Sequence, residues 1–255
     1  MTLREQYEQY GYVVVPTNVN PDMLYQARDP TGPLQPEGYH WSDGPRVFEG
    51  WKSNSAVRHI AWSEAIRDAI SEVTGEEGRP FQTISFSKGT NQALHQDGIH
   101  FQTLPLGKIV GVWVALEDCD DQNGTLCVVP GSHKQGFLNW STWFDRCEPG
   151  QQFEFYAAYE KLIGEGMHAV PVNVPAGHAV IWGTDLLHGG WPIVDNTKTR
   201  HSLAVHYFLD GARIGWAPMF SDTSKFDFYF KRTRWFDKSG SLHESHESPD
   251  VGLFV

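Results

Sequence analysis

The chain is poor in several things, and each shortage excludes something. It carries only 3 cysteines in 255 residues. Cys119, Cys127 and Cys147 are odd in number and lack metal-motif spacing, so no disulfide framework is expected and free thiols in a reducing cytosol are. No apolar run approaches the length of a membrane-spanning helix. Residues 1–16 place no long apolar stretch after their one early Arg, so a secretory leader is not expected. Basic residues are also scarce: 20 Lys and Arg face 31 Asp and Glu, a formal charge of −11. With no Lys/Arg-rich run, a nucleic-acid or anionic-membrane partner is excluded. These shortages leave a cytoplasmic protein acting on a small molecule, and its oligomeric state leaves no mark in the sequence.

What the chain does have is length for a full core and many aromatics, including 10 Trp and 15 Phe, most of which core packing must absorb. Residues 3–10 are polar and helix-compatible, Gly11 breaks them, and Tyr12–Val15 reads as a buried strand closed by Pro16. Asn20-Pro21-Asp22 reads as a helix start. Residues 29–54 read as a long ordered loop, with 39–51 a lid candidate. Residues 56–74 show apolar positions at helical spacing, ended by Gly75.

From Phe81 the pattern changes to short apolar runs between turn signals. Candidate strands are 81–87, 93–97, 108–116, 125–129, 169–174, 178–183 and 200–209, with 134–168 a more helical, polar insertion. The expected fold class is mainly β with flanking helices, a double-stranded β-helix (jelly roll, cupin-like). No linker or internal repeat divides the chain. One domain over 1–255 is expected, with a core about 81–210, N-terminal helices and lid over 1–80, and an extension over 211–255.

His95-Gln96-Asp97 is the stretch richest in chemistry. Side chains at i and i+2 of a strand point the same way, so imidazole and carboxylate converge. With His188, which ends another strand run and precedes Gly189-Gly190, they form the two-His, one-carboxylate set that leaves open positions on non-haem Fe(II). Arg200, at the start of a further strand, suits the bidentate grip of a carboxylate. The same ligands would also serve a zinc-dependent hydrolase, or survive in a vestigial jelly-roll binding module. His100 offers a local zinc triad with His95 and Asp97, but on a continuous strand it would face the other way. His133 reads as a structural turn residue, and His243 and His246 as solvated.

These residues carry a resemblance. Leu94–Gly98, Val112–Asp118, Asn123–Leu126, Val129–Lys134, Leu187–Gly189 and Arg200 occur in the order found in the phytanoyl-CoA dioxygenase family of Fe(II)/2-oxoglutarate oxygenases, which the chain resembles over about residues 5–210. The resemblance implies His95, Asp97 and His188 as iron ligands and Arg200 as partner of the cosubstrate's far carboxylate. It also implies Trp113, Gln92 and Ile84 as cosubstrate contacts. Where family members often carry Ser two residues after the second His, this chain has Gly190, so a hydrogen-bond donor is missing or supplied elsewhere. Related halogenases replace the carboxylate with Gly or Ala, whereas Asp97 is retained. The implied activity is an Fe(II)- and 2-oxoglutarate-dependent dioxygenase using O2, with ascorbate as reductant in vitro. Hydroxylation is the default outcome; cyclisation, desaturation and epimerisation use the same ligands. The stretch Phe226–Phe230 is a pocket candidate, and Lys231–Arg234 is the one basic cluster suited to a CoA diphosphate.

Overall fold

The computed structural model of the chain describes residues 1–31, 46–135, 168–216 and 230–245. The expected insertion at 134–168 lies almost wholly outside them, as do Cys147, residues 39–45 of the lid candidate, His246 and Phe226–Tyr229.

Thr2 caps the first helix, α1 (Leu3–Tyr10), in a capping box with Glu5, and Gly11 ends it in the left-handed conformation. The chain then enters strand β1 (Tyr12–Pro16), helix α2 (Pro21–Gln26) with Asn20 as its cap, strand β2 (Arg46–Phe48), and helices α3 (Ser55–Ala61) and α4 (Glu64–Thr74). The single helix read over 56–74 is thus two. The break falls at Trp62 and Ser63, where Ser63 leaves helical geometry and its hydroxyl donates to the Thr17 carbonyl at 2.8 Å, tying the corner to the end of β1.

The remaining strands are β3 (Gly78–Phe86), β4 (Gln102–Leu104), β5 (Ile109–Ala115), β6 (Leu126–Val128), β7 (Val170–Pro171), β8 (His178–Gly183), β9 (His188–Gly190), β10 (Ser202–Leu209), β11 (Ile214–Trp216), β12 (Phe230–Arg232), β13 (Arg234–Phe236) and β14 (Leu242–Glu244). Six build a main antiparallel sheet in the order β1-β8-β5-β10-β3-β2, and three build a smaller sheet, β7-β6-β9. Two sheets of this kind with helices outside make the expected jelly roll. β3 begins before Pro80, which the β10 pairing accommodates at a register shift between His206 and Tyr207.

Each main-sheet strand has two faces with different occupants. Val112, Val114, Ile181, Leu203, Val205 and Tyr207 pack with Val57, Ile60, Ile66 and Ile70 of α3 and α4. Trp113, Ala115, Val180, Trp182 and Ala204 turn the other way and pack with Leu126, Val128 and Val172 from the smaller sheet's side. The described residues 46–54 are not all loop: β2 pairs with Ile84–Phe86 at the sheet edge. Trp51, 3% exposed, stacks on Phe236 with ring centroids 4.4 Å apart, so it belongs to the core. Cys119 and Cys127 are buried free thiols, and burial pushes them up to about 12 and about 11.

Candidate active site

The predicted strand 93–97 does not form; the chain only touches a sheet there. His95 exchanges both backbone hydrogen bonds with His188, at 2.9 and 3.0 Å, as an isolated bridge beside β9. At Asp97 it turns into one 3-10 turn, Asp97–Ile99, while Gly98 N–H donates to the Thr184 carbonyl at 3.0 Å. The same-face argument survives because Gln96 itself is extended, φ −107° and ψ 133°. Its side chain is buried and its amide donates to the Asp185 carbonyl.

His95, Asp97 and His188, each 5% exposed, offer ligand atoms that all lie within 4.8 Å of one another. Asp97 Oδ1 is 3.7 Å from His95 Nε2 and 3.6 Å from His188 Nε2. The Nδ1 atoms of the two rings sit 2.9 Å from the Ala93 carbonyl and 3.0 Å from the Leu186 carbonyl. A carbonyl only accepts, so each Nδ1 carries a proton and each Nε2 is left facing the space shared with Asp97 Oδ1, where a metal ligand atom is required. Burial is the first cause holding His95 well below its ordinary value, and His188 adds to it. Burial alone would raise the Asp97 carboxyl, but His188, then His206 and His95, outweigh it and hold it well below the usual carboxylate range. Two imidazoles and one carboxylate, preformed and buried, fit a divalent transition metal.

The three groups open on a cavity of about 380 Å³ between the two sheets, where Arg200, Gln92, Trp113 and Ile84 also stand. Arg200 is 3% exposed and burial lowers its guanidinium to about 10. Nη1 donates to Ser202 Oγ at 2.8 Å, its plane lies over Phe86 and Trp113, and Nε has no hydrogen-bond partner. Among the described residues no carboxylate lies within 4.0 Å of it, so the cavity holds a buried cation suited to an anionic ligand. Ile84, Ala204 and Trp113 face one another across β3, β10 and β5; the small Ala204 leaves space between two larger walls. Gln92 Nε2 sits 3.1 Å from His95 Nε2, and its Oε1 accepts from the Arg46 guanidinium at 2.9 Å.

Gly190 has a physical reason. A Cβ there would stand 2.8 Å from Gln92 N and 3.0 Å from both Asn91 N and Thr90 Oγ1. No serine fits, and the buried Thr90 hydroxyl already occupies that part of the cavity wall. His100 corrects the strand argument in part. The 3-10 turn brings it to the cavity, with its ring centroid 5.8 Å from His95, although it is not one of the three convergent groups.

Arg46, Phe101, Trp182 and His206 also line the cavity, and sequence reading assigned none of them. A signal for His206 existed: Ser202, Ala204 and His206 alternate with Leu203, Val205 and Tyr207, which places a histidine on the inner face. The Lys231–Arg234 cluster leads elsewhere, since Arg232 and Arg234 pair with Glu244 at 3.7 and 3.2 Å.

Comparison with known proteins agrees with this architecture. A solved carbocyclase from nogalamycin biosynthesis, SnoK, superposes with a TM-score of 0.63 at 19% identity, covering 84% of this chain and 85% of that one. The epimerase SnoN from the same biosynthesis gives 0.59 at 20%, covering 84% and 83%. SnoN has been solved with Fe3+ and alpha ketoglutarate, and HygX from Streptomyces hygroscopicus with nickel and 2-oxoglutarate. Phytanoyl-CoA dioxygenase domain-containing protein 1 of Danio rerio is 55% identical over 127 residues, 49% of this chain and 41% of that protein. Phytanoyl-CoA dioxygenase 1 of Oryza sativa is 30% identical over 118 residues, 44% and 37%. The matches thus span about two fifths of these curated relatives. The family profile of phytanoyl-CoA dioxygenase (PhyH) runs over residues 7–202, through every residue of the buried triple and the guanidinium behind it, and the chain belongs to that family.

Proposed function

We propose that this protein is an Fe(II)- and 2-oxoglutarate-dependent dioxygenase that hydroxylates an unactivated C–H bond of a small metabolite, with release of succinate and CO2. The observation that carries the reading is the juxtaposition, in one cavity, of the buried His95–Asp97–His188 triple and the buried Arg200. His95, Asp97 and His188 would hold the iron, and Arg200 the distal carboxylate of 2-oxoglutarate, between Trp113 and Ile84. When bound, iron, cosubstrate and O2 together supply an oxidant strong enough to take hydrogen from an unactivated carbon.

The chain's own residues have other work. Ala93 and Leu186 carbonyls fix the imidazole tautomers. Arg200 fixes the orientation of a dicarboxylate, because a guanidinium fork reads carboxylate geometry bidentately. The second sheet and the apolar cavity wall exclude water. A buried guanidinium facing the cavity without a described carboxylate near it favours this reading over a hydrolytic zinc site, which needs only the triple and a water.

A small metabolite fits better than an acyl-CoA. The cavity of about 380 Å³ must take the cosubstrate as well. The arginines of the one basic cluster proposed for a diphosphate are paired with Glu244.

Protein purified anaerobically and supplied with Fe(II), ascorbate, 2-oxoglutarate and O2 is expected to release succinate, and Asp97→Ala is expected to abolish it. No 2-oxoglutarate binding and no turnover with any substrate would sink the proposal. Product mass separates the outcomes: hydroxylation adds an oxygen atom from O2, ring closure or desaturation removes a hydrogen pair, and epimerisation leaves the mass unchanged.

A further inference from the structure

Asp97 divides its two oxygens between different neighbours. Oδ1 faces the Nε2 atoms of His95 and His188, whereas Oδ2 accepts the indole N–H of Trp182 at 3.0 Å and lies 3.5 Å from His206 Nε2. Both of these partners come from one row of the main sheet. Gln82, His206, Gly111 and Trp182 stand directly opposite one another across β3, β10, β5 and β8. Gly111 is the gap that makes the row work, since a Cβ there would stand 2.5, 2.6 and 2.9 Å from three indole atoms. The indole therefore lies across a missing side chain, with its N–H on the carboxylate and its ring 4.7 Å from that of His188, centroid to centroid. Packing alone explains an aromatic ring at 182; it does not require the N–H.

A carboxylate can bind a metal through one oxygen or two. With both oxygens free to turn, Asp97 could take a position that a metal at this site would otherwise leave to other ligands. We propose that Trp182, seated over Gly111, and His206, opposite Gly111 on the next strand, are positioning residues that keep Asp97 a one-oxygen ligand and so keep the cosubstrate's positions open. The inference rests on the iron and 2-oxoglutarate reading of the same site. Its agents are side chains of the main sheet, none of them a metal ligand or a cosubstrate contact. Outer partners of metal ligands commonly change metal affinity or activity by about 10–100-fold when removed, which sets the size of the effect.

The test uses the full chain and Mn(II), whose bound waters are counted by water-proton relaxation, followed by titration with 2-oxoglutarate. Trp182→Phe keeps the ring and removes the donor. It is expected to hold Mn(II) with one fewer water than the wild type and to bind 2-oxoglutarate about tenfold or more weaker. Gly111→Ala, which leaves the indole in the chain but displaces it, is expected to shift both readings the same way. His206→Leu should give a smaller shift, because its contact is the longer of the two, and His206→Gln, which restores an N–H donor, should recover part of it. Should Trp182→Phe fail to fold by circular dichroism, the His206 pair carries the test alone. Folded variants with the wild-type water count and wild-type 2-oxoglutarate affinity overturn the clamp. A wild type that binds neither Mn(II) nor 2-oxoglutarate overturns the reading of the site itself, so the two failures are distinguishable.

Discussion

Strand β10 is buried along all eight of its residues, yet its two faces are chemically opposite. Leu203, Val205 and Tyr207 turn toward α3 and α4 and belong to the large apolar core. Arg200, just before the strand, and Ala204 and His206 within it line the cavity, together with Trp182 from the row of His206. Both sides are buried, at 0% exposure for Leu203, Val205 and Tyr207 and at 7% and 5% for Ala204 and His206, so burial alone does not mark the site. What marks it is what the buried groups do with their polar atoms. Within β10 itself the one polar side-chain atom on the helix side, the Tyr207 hydroxyl, is satisfied by the Ala61 carbonyl. On the cavity side Arg200 Nε and His206 Nδ1 have no hydrogen-bond partner. A buried polar group without a partner costs stability, and these two stand in the cavity, where a ligand could complete them.

The comparison predicts that the two faces separate stability from binding. The largest effect belongs to Arg200→Met. Removing one side of a buried charge pair costs roughly 2–5 kcal/mol of binding; titration with 2-oxoglutarate should therefore show weakening of about thirtyfold or more. The unliganded variant should melt no lower than the wild type, because it no longer buries a guanidinium that burial, above all, lowers to about 10. A variant that binds 2-oxoglutarate normally would show that this guanidinium serves the fold and not the ligand. Val205→Ala, on the other face of the same strand, should do the reverse. Losing two methyl groups at a fully buried position should destabilise by about 2 kcal/mol, read as a lower urea midpoint at unchanged slope. The folded fraction should bind 2-oxoglutarate as the wild type does. Loss of cosubstrate affinity in Val205→Ala would mean that the faces are mechanically coupled, and the comparison would fail.

Sequence reading reached the cavity side better than expected for residues near turns, and less well for residues inside strands. His95-Gln96-Asp97 was legible because a single extended residue, Gln96, suffices to align its neighbours; the strand predicted around it was not needed and did not form. His188 was legible through the glycines after it, which allow the 90–93 segment to approach: a Cβ at Gly189 would stand 2.6 Å from the Gln92 carbonyl oxygen. Trp182 and Gly111 were not legible, because an indole and a glycine in apolar strands read as core and as weak strand, and only the register of β5 against β8 reveals their meeting. His100 stays outside the convergent triple, as expected, but its place on the cavity wall was hidden for a related reason. A face argument holds while the strand continues, and the 3-10 turn at Asp97 ends it. The jelly-roll class followed from short strands and turn chemistry, whereas the break of 56–74 into two helices depended on a tertiary bond from Ser63 to Thr17 that no local pattern carries.

The smallest predicted effect is also the cleanest test of the helix-facing side. Tyr207 is fully buried, and its hydroxyl donates to the Ala61 carbonyl at 2.7 Å, an acceptor at the end of α3 that no further turn of that helix satisfies. Tyr207→Phe should destabilise by about 1 kcal/mol and lower the melting temperature by roughly 2–4 °C for a chain of this size, with 2-oxoglutarate affinity unchanged. Burial raises the Tyr207 hydroxyl far above its ordinary value, so the folded state keeps a proton that the unfolded state releases above about pH 10. Its stabilisation is therefore complete below that pH and lost as pH rises further. Tyr7, pushed above its ordinary value by burial and then by Asp185, contributes in the same direction and remains in the variant. Stability of the wild type should consequently fall more steeply above about pH 10 than that of Tyr207→Phe. Parallel curves would mean that the buried hydroxyl carries no linkage, and that polar atoms on the helix-facing side are not held differently from those on the cavity side.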